Sequence, residues 1–229
     1  MPPADAAAVW VVVPAYKEAA RIRATLAELL PRFPNAVVVD DGSPDESGAI
    51  ARACGAWVLR HPLNRGQGAA LQTGIDFALL RGAAVVVTFD SDGQHDPADI
   101  PAVVAPLLAG DADVTLGSRF LGRTVGMPFT RWAVLKLAVA FTRVVSRVRV
   151  TDTHNGLRGF TRAAAAAVRI RQDRMSHASE IFDEIRRLGL RYREVPVTVR
   201  YTAATLAKGQ SSLNAVRVAW QFLVGRVVK

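Results

Sequence analysis

The sequence predicts an α/β fold with a mostly parallel central sheet flanked by helices, and three features of the chain lead to this prediction. Short valine-rich apolar runs alternate with segments whose apolar residues recur at helical spacing, which is typical of strands joined by crossover helices. The runs are apolar at successive positions, as in strands that are covered on both faces. Hydrophobic residues make up 50% of the 229 residues, which is sufficient for a large packed core.

The first half of the chain contains the clearest strands and helices. Residues 9–13 form an apolar run that ends at Pro14, and residues 19–30 carry isoleucine and leucine at helical spacing. A second run at 36–39 is followed by a turn sequence in which Asp45 and Ser47 are suited to cap a helix. The other predicted elements in this half are strands at residues 56–59, 83–89 and 114–117, a helix opened by residues 66–68 that runs up to Gly82, and a helix at residues 97–108.

The second half of the chain changes in character. Residues 132–150 are apolar but are interrupted by one lysine and three arginines, which fits an interfacial helix, or a core helix with a basic outer face, better than a membrane-spanning one. A polar loop follows at residues 152–158. The remaining predicted elements are a short alanine-rich helix at 163–167, a helix at 179–188, a strand at 192–199 and a basic helix at 213–228.

Charge divides unevenly along the chain. Residues 1–115 have a net charge of −6 and residues 116–229 a net charge of +15, so the second half is expected to meet anions such as phosphates or anionic lipids. Cys54 is the single cysteine, which excludes an intrachain disulfide and favours a reducing compartment. The N-terminus does not resemble a signal peptide, and no apolar run approaches the roughly 18 residues that span a bilayer. We therefore expect a cytoplasmic protein or one bound peripherally at the cytoplasmic face of a membrane.

The most informative polar cluster is Asp90-Ser91-Asp92-Gly93-Gln94, which comes directly after the apolar run at residues 83–89. Ligands in open α/β sheets gather at the carboxyl ends of strands, so this position favours a functional site. Carboxylate and amide oxygens at positions i, i+2 and i+4 suit Mg or Mn, whose usual partner is a diphosphate. The alternative, from these residues alone, is a solvated turn capped by aspartate.

Two further polar clusters follow predicted strands, Pro14-Ala15-Tyr16-Lys17-Glu18 after the first and Asp40-Asp41-Gly42-Ser43 after Val39. Taken with the Asp90 cluster and with segments 64–68, 117–119 and 208–211, they resemble the family 2 glycosyltransferases over about residues 8–208. The resemblance implies a single GT-A domain over residues 1–229, with a nucleotide-binding half at 8–117, an acceptor-side half at 118–212 and a C-terminal amphipathic helix at 213–229. It also implies transfer of a hexose, with inversion, from a UDP- or GDP-linked sugar.

The resemblance assigns roles to individual residues. Asp90, Asp92 and Gln94 would coordinate the cation, with Asp92 essential to catalysis and the Ser91 backbone facing the nucleotide. The nucleoside would be held by Pro14, Tyr16, Glu18, Val39 and Asp41, and the phosphates by Arg119, Arg200 and Lys208. Asp41 could instead stabilise its turn, Glu18 could cap a helix, and Arg200 could form a surface salt bridge. His95 is expected to point into solvent, the alternative being that it joins the ligands of the cation, and Gln67 stands where many family members carry lysine.

The acceptor is predicted from a comparison within the family. The nearest branch is that of the dolichyl-phosphate and polyprenyl-phosphate mannose and glucose synthases. Family members that glycosylate hydroxyls usually show an acidic pair as base, whereas the matching segment here holds Glu180 without a neighbouring acid. A phosphate is already anionic and needs no base, so a polyprenyl phosphate is favoured, with Asp152 and Arg158 on the acceptor side.

Two alternatives to the polyprenyl-phosphate acceptor stay open. One is transfer to a glycan or protein hydroxyl with Glu180 as catalytic base, and the other is a non-catalytic module that binds a membrane surface. No basic and aromatic readout motif for nucleic acid is present. The chain lacks the membrane helices that many bacterial members of this branch append, so a membrane protein partner is a further expectation.

Overall fold

The structure is a computed structural model that describes residues 8–145, 148–171 and 177–201. The strands in these residues are β1 (Val9–Ala15), β2 (Ala36–Asp40), β3 (Trp57–Arg60), β4 (Val85–Thr88), β5 (Val114–Val125), β6 (Arg158–Thr161) and β7 (Tyr192–Arg200). The helices are α1 (Ile22–Leu29), α2 (Ser47–Ala53), α3 (Gln67–Leu80), α4 (Ile100–Leu108), α5 (Phe129–Val145), α6 (Arg162–Ala167) and α7 (His177–Arg187), and a 3₁₀ turn (Pro97–Asp99) precedes α4.

The strands form one sheet in the order β3-β2-β1-β4-β6-β5-β7. Strands β1 to β4 are parallel, β6 runs antiparallel to both of its neighbours, and β7 is parallel to β5. The register places Ala15 beside Asp40, and Thr88 beside Arg158. Because β6 runs in the opposite direction, its first residue lies at the same edge of the sheet as the carboxyl ends of β1, β2 and β4.

Helices cover both faces of the sheet, which explains why the predicted strands are apolar throughout. Val9, Val11 and Val13 of β1 pack into one core, which α1, α2 and α4 close. The alternate residues Trp10 and Val12 pack into a second core on the other face, which α3, α6 and α7 close. The predicted α/β fold with a mostly parallel sheet is therefore confirmed.

The second half departs from the prediction in two places. The expected polar loop at residues 152–158 ends in β6, and the fifth strand continues to Val125 instead of ending at residue 117. A bulge between Ser118 and Arg123 interrupts the pairing of β5 with β7, and a Cβ on Gly122 would lie 2.3 Å from the Val197 carbonyl oxygen. The predicted helix at residues 213–228 lies outside the described residues.

In the described ranges, no helix combines the length and the apolar character that crossing a membrane requires.

Candidate active site

The loops that follow β1 and β2 are tied to each other by side-chain bonds. Lys17, whose φ of 57° is unusual for a residue other than glycine, donates its backbone N–H to Ser43 Oγ at 3.1 Å. The backbone N–H of Glu18 donates to Ser47 Oγ at 2.8 Å, and the buried Glu18 carboxylate pairs with Arg21 at 2.9 Å. Tyr16, the residue before Lys17, is exposed, whereas Pro14 and Val39 are buried within their strands.

Asp41 joins the end of β2 to the start of α3. Its Oδ1 bonds to His61 Nδ1 at 2.7 Å and accepts the backbone N–H of Arg65 at 3.0 Å. Its Oδ2 accepts the backbone N–H of Gly66 at 2.6 Å. These amides precede the first helical residue, so Asp41 satisfies donors that the beginning of a helix leaves exposed. The buried carboxylate therefore organises the segment 64–66 in addition to any role toward a nucleoside.

Asp90 is held by three separate parts of the chain. Its Oδ1 accepts from Gln67 Nε2 at 3.0 Å, and its Oδ2 lies 3.1 Å from His95 Nε2. The carboxylate rests directly against Gly156, where a Cβ would come within 2.1 Å of Oδ2. His95 is buried, so the expectation that it points into solvent is wrong, because its ring packs near Phe89 while it bonds to Asp90.

Asp92 lies in an unfavourable electrostatic position for an anion. Burial, and after it the negative charges of Asp90 and Glu18, raise the pKa of the Asp92 carboxyl above its ordinary value. Its Oδ1 accepts the backbone N–H of Gln94 at 3.0 Å, and a cavity of about 150 Å³ lies beside it. The Ser91 carbonyl accepts a hydrogen bond from Thr25 Oγ1 at 3.1 Å, which fixes the loop to α1.

The donor set around Asp90 and Asp92 fits a hard divalent cation. The described residues contain no cluster of three or more carboxylate, imidazole or thiol groups that could hold a metal by themselves. Mg and similar ions are commonly held by one or two carboxylates, and substrate phosphates and waters complete the coordination. Two partly buried carboxylates whose charges disfavour each other match that requirement.

The loop between α5 and β6 is fixed to β5 by the pairing of Asp152 with Arg119. Arg119 donates through Nε to Asp152 Oδ2 at 2.6 Å, through Nη2 to the His154 carbonyl at 2.7 Å, and through Nη1 to the Tyr201 hydroxyl. Burial opposes the charge of Arg119, but Asp152 and Tyr201 together outweigh burial and raise the pKa of the guanidinium. Arg119 is thus engaged inside the protein, and its predicted contact with phosphate remains a prediction.

Arg158 connects this loop to Asp90. Its buried guanidinium lies 5.5 Å from the centroid of the Phe182 ring. Burial lowers the pKa of Arg158 to about 10, against the opposing effect of Asp90 and Asp152, so the side chain stays cationic at neutral pH. Arg158 is therefore a buried cation whose positive charge offsets the negative charges of Asp90 and Asp152.

His154 lies in the same loop. His154 is exposed as a whole residue, yet desolvation of its imidazole by the surrounding protein, and after it the nearby Arg119, Arg158 and Arg131, lower the pKa of His154 to about 4. Its Nδ1 bonds to Thr153 Oγ1 at 2.8 Å. If the threonine hydroxyl donates this bond, Nε2 carries the proton and presents a neutral donor.

The other predicted site residues make contacts elsewhere in the protein or lie outside the described residues. The Arg200 side chain pairs with Asp96, and its backbone N–H donates to the Gln94 carbonyl at 2.9 Å. Glu180 Oε2 accepts the backbone N–H of Arg171 at 3.0 Å, in the segment that follows α6. Lys208 lies outside the described residues. The site thus brings together Glu18, Asp90, Asp92, Asp152 and Arg158.

The contacts that Gln67, His95 and Gly156 make with Asp90 were not predicted from the sequence. His95 carried a partial signal because it directly follows Gln94, but Gln67 and Gly156 reach Asp90 from segments 23 and 66 residues away along the chain. Their contacts arise from the order of the strands in the sheet and could not be read from local spacing.

The mostly parallel sheet, its helices on both faces and the paired carboxylates at its edge agree with the GT-A fold expected from the sequence. The chain matches the model of Glycosyl transferase family 2 over residues 10–168, and it belongs to that family. The predicted family and its enzymatic class are therefore confirmed.

Three proteins illustrate the similarity. An uncharacterized protein of Methanocaldococcus jannaschii is 36% identical over 225 residues, which cover 96% of this chain and 92% of that protein. The UDP-N-acetylglucosamine–dolichyl-phosphate N-acetylglucosaminyltransferase of Methanococcus voltae is 28% identical, over 96% of this chain and 97% of that protein. Glucosyl-3-phosphoglycerate synthase from Mycobacterium tuberculosis, crystallised with Mn²⁺, UDP and glucosyl-3-phosphoglycerate, is 22% identical with a TM-score of 0.71, over 94% of this chain and 77% of that chain. This last likeness concerns the fold.

Proposed function

We propose that this glycosyltransferase moves a hexose from a UDP- or GDP-linked sugar to a polyprenyl phosphate, with inversion and with Mg or Mn bound. The observation that carries the proposal is the contact between Gly156 and Asp90, since it joins the acceptor-side loop to the carboxylate expected to hold the diphosphate. The dolichyl-phosphate transferase of Methanococcus voltae, a relative over nearly the full length of both chains, supports a lipid phosphate as acceptor.

The donor would lie across the carboxyl ends of β1, β2 and β4. Tyr16 is exposed there and offers an aromatic face to the base or ribose, while Pro14 and Val39 form the floor of the site. Glu18 and Asp41 would accept hydrogen bonds from the nucleoside. Both carboxylates already accept bonds inside the protein, so the nucleoside would meet groups whose positions are fixed in advance.

Asp90, Asp92 and Gln94 would hold the divalent cation. When bound, the ion neutralises the negative charge that grows on the departing nucleoside diphosphate. Gln67 and His95 fix the direction of the Asp90 carboxylate, and Arg158 places a positive charge beside it. Arg119, Arg200 and Lys208 remain the further phosphate-binding residues of this proposal.

The acceptor phosphate would be bound by Arg158 and by the loop that Asp152 organises. Asp152 accepts from Arg119 and from the backbone N–H of His154, so it fixes the loop and has little capacity left to act as a base. A phosphate oxygen attacks as an anion without a base, and the buried cationic Arg158 orients it. His154 adds a hydrogen bond donor that carries no charge.

Incubation of the protein with labelled UDP- and GDP-sugars, Mn²⁺ and polyprenyl phosphate tests the proposal directly. We expect a lipid-linked sugar with one of the two nucleotides, and selective thermal stabilisation by UDP or GDP identifies which. Asp92→Asn should lower the rate roughly 100-fold or more, because charge stabilisation worth several kcal/mol is lost. Asp76→Asn, on the exposed surface of α3, is the matched control.

Two results would count against this acceptor. If no lipid-linked product forms with any donor, the polyprenyl-phosphate acceptor is wrong. Transfer to a hydroxyl acceptor that Glu180→Gln abolishes would replace it with the alternative in which Glu180 is the base. Glu180→Gln is expected to leave transfer to polyprenyl phosphate within a few-fold, since a phosphate acceptor needs no base.

A polyprenyl phosphate resides in a bilayer, so the proposal places the protein peripherally at the cytoplasmic face of a membrane. The net charge of +15 over residues 116–229 supports that location. A membrane protein partner, as predicted from the sequence, remains part of the proposal. Co-purification of the tagged protein with the membrane fraction, before and after a high-salt wash, tests whether a charged surface holds it there.

A further inference from the structure

Large apolar side chains are exposed along α5 and along the end of β5 that leads to it. Phe129 is 78% exposed and Leu137 is 73% exposed, although both belong to a helix that packs on the protein. We call this the α5 surface, and its large apolar residues are Leu121, Val125, Phe129, Trp132 and Leu137. They make up half of the ten large exposed hydrophobic residues found among the described residues, and they fall within 17 consecutive positions.

The helix is two-sided, and its outer side is the apolar one. Leu135 and Val139, four residues apart, are buried against the protein. The outward residues Phe129 and Trp132 stack on each other with ring centroids 5.6 Å apart. Soluble helices usually carry polar residues on the outer side, so an apolar outer side indicates a partner.

Cations, and no carboxylates, accompany these apolar residues. Residues 114–151 contain seven Lys and Arg and no Asp or Glu. The ammonium group of Lys136 lies 3.9 Å from the centroid of the Phe120 ring and 5.9 Å from that of Trp132, so a cation lies against the aromatic side chains of this region. Aromatic rings with lysine and arginine around them match the boundary between lipid acyl chains and anionic headgroups.

The α5 surface also borders the acceptor-side loop. Arg131, in the first turn of α5, lies 5.5 Å from the centroid of the Tyr201 ring. The Tyr201 hydroxyl accepts from Arg119, which in turn binds Asp152 and the His154 carbonyl. A flat partner that contacts Phe129 and Leu137 would therefore lie beside the loop assigned to the acceptor phosphate.

We propose that the α5 surface docks this enzyme on an anionic lipid bilayer, with Phe129, Trp132 and Leu137 inserted at the headgroup boundary and the neighbouring cations on lipid phosphates. The proposal rests on the proposed function for its orientation, because docking through this surface turns the acceptor-side loop toward the membrane. The binding itself does not depend on the identity of the acceptor.

Co-sedimentation of the full chain with vesicles tests the docking without any acceptor. Vesicles of phosphatidylcholine and phosphatidylglycerol should bind the protein, and vesicles of phosphatidylcholine alone should bind it weakly. The double variant Phe129→Ser/Leu137→Ser should lower the partition coefficient roughly tenfold or more, since two apolar anchors are removed from the interface. Leu80→Ser, an equally exposed change at the far end of α3, should leave it within about twofold.

The outcomes separate this proposal from the proposed function. Equal binding of the double variant and the unaltered protein, or no binding to anionic vesicles, would overturn the docking. So would a dimer in sedimentation velocity that only the double variant loses, because a second copy would then occupy the surface. Transfer to a short, water-soluble polyprenyl phosphate measures the proposed function separately, and the double variant should retain it. If the protein binds vesicles but transfers no sugar to polyprenyl phosphate, the docking proposal is supported and the proposed acceptor is wrong.

Discussion

Gly156 shows at the scale of one residue how the site is assembled. A Cβ at this position would lie 2.1 Å from Asp90 Oδ2, so any side chain would force the carboxylate or the loop to move. Thr88 Oγ1 donates to the Gly156 carbonyl at 2.7 Å, which holds the loop in place. The absence of a side chain therefore allows the loop at residues 152–158 to lie directly on the Asp90 carboxylate.

Replacing Gly156 by alanine tests this packing. We expect Gly156→Ala to destabilise the protein by about 1–3 kcal/mol, as overpacking does, and to lower transfer activity far more than that loss accounts for. Gly74→Ala is the control, because its Cβ would meet Val12 Cγ1 at 2.3 Å in the core beneath α3, away from Asp90. Urea unfolding measures the loss of stability, and initial rates measure the loss of transfer activity. Equal activity losses in both variants would show that the effect is one of stability alone.

His154 makes a second prediction, which concerns pH. The unfolded chain takes up a proton at His154 near pH 6.5, whereas the folded protein takes it up at about 4, because burial and the arginines around the ring disfavour the imidazolium. Folding is therefore penalised as the pH falls through this window. His154→Gln should flatten that part of the stability profile, and the ring resonance of His154 should titrate near the lower value by NMR. A titration near pH 6.5 would contradict this prediction.

Individual residues were predictable from the sequence where their chemistry depends on local spacing. Asp90 and Asp92 follow a buried strand, and this position favoured a functional site over a solvated turn only when it was taken together with the clusters after the other strands. Gln67 was noted only as a departure from lysine, although its amide bonds to Asp90 at 3.0 Å. Whether the Gln67 amide reaches Asp90 depends on where α3 begins relative to β4. That placement is set by the sheet and not by the residues next to Gln67 in the sequence.

At the scale of elements, the start of α3 depends on the acceptor Asp41, which directly follows β2. We expect Asp41→Ala to lower the free energy of unfolding by about 2 kcal/mol, since two backbone amides before α3 and His61 lose their acceptor. Thr161→Ala, which removes one capping bond from α6, should cost about 1 kcal/mol. Chemical denaturation measures both losses. An Asp41→Ala protein of unaltered stability with weaker UDP or GDP binding would assign Asp41 to the nucleoside alone.

Elements whose apolar residues recur regularly were found near their predicted positions, whereas β6 was missed. It has four residues and begins with the charged Arg158, so neither its length nor its composition identifies it as a strand. Its neighbours β4 and β5 supply the pairing on both sides. A strand of this kind forms because the sheet leaves a position for it, and local propensity contributes little.

At the scale of the whole molecule, the sheet order joins the two halves predicted from the sequence. Strand β6 from the second half lies between β4 and β5, and β7 completes the sheet beyond β5. Asp99 further accepts the backbone N–H of Thr198 at 2.6 Å across the halves. We expect one cooperative unfolding transition with equal calorimetric and van't Hoff enthalpies, and no stable fold for a fragment of residues 8–117. Two separable transitions would contradict a single domain.

The same sheet order decides which strands have a free edge where a strand of another molecule could pair. Strands β3 and β7 lie at the two ends of the sheet, and an end strand can template pairing between molecules. Strand β3 has only four residues, with Arg60 at its end. In β7, Pro196 removes an N–H from the middle of the strand, Arg193 and Glu194 lie near its start, and Arg200 ends it. The protein should therefore resist aggregation by strand addition at high concentration, even though its strands are rich in valine.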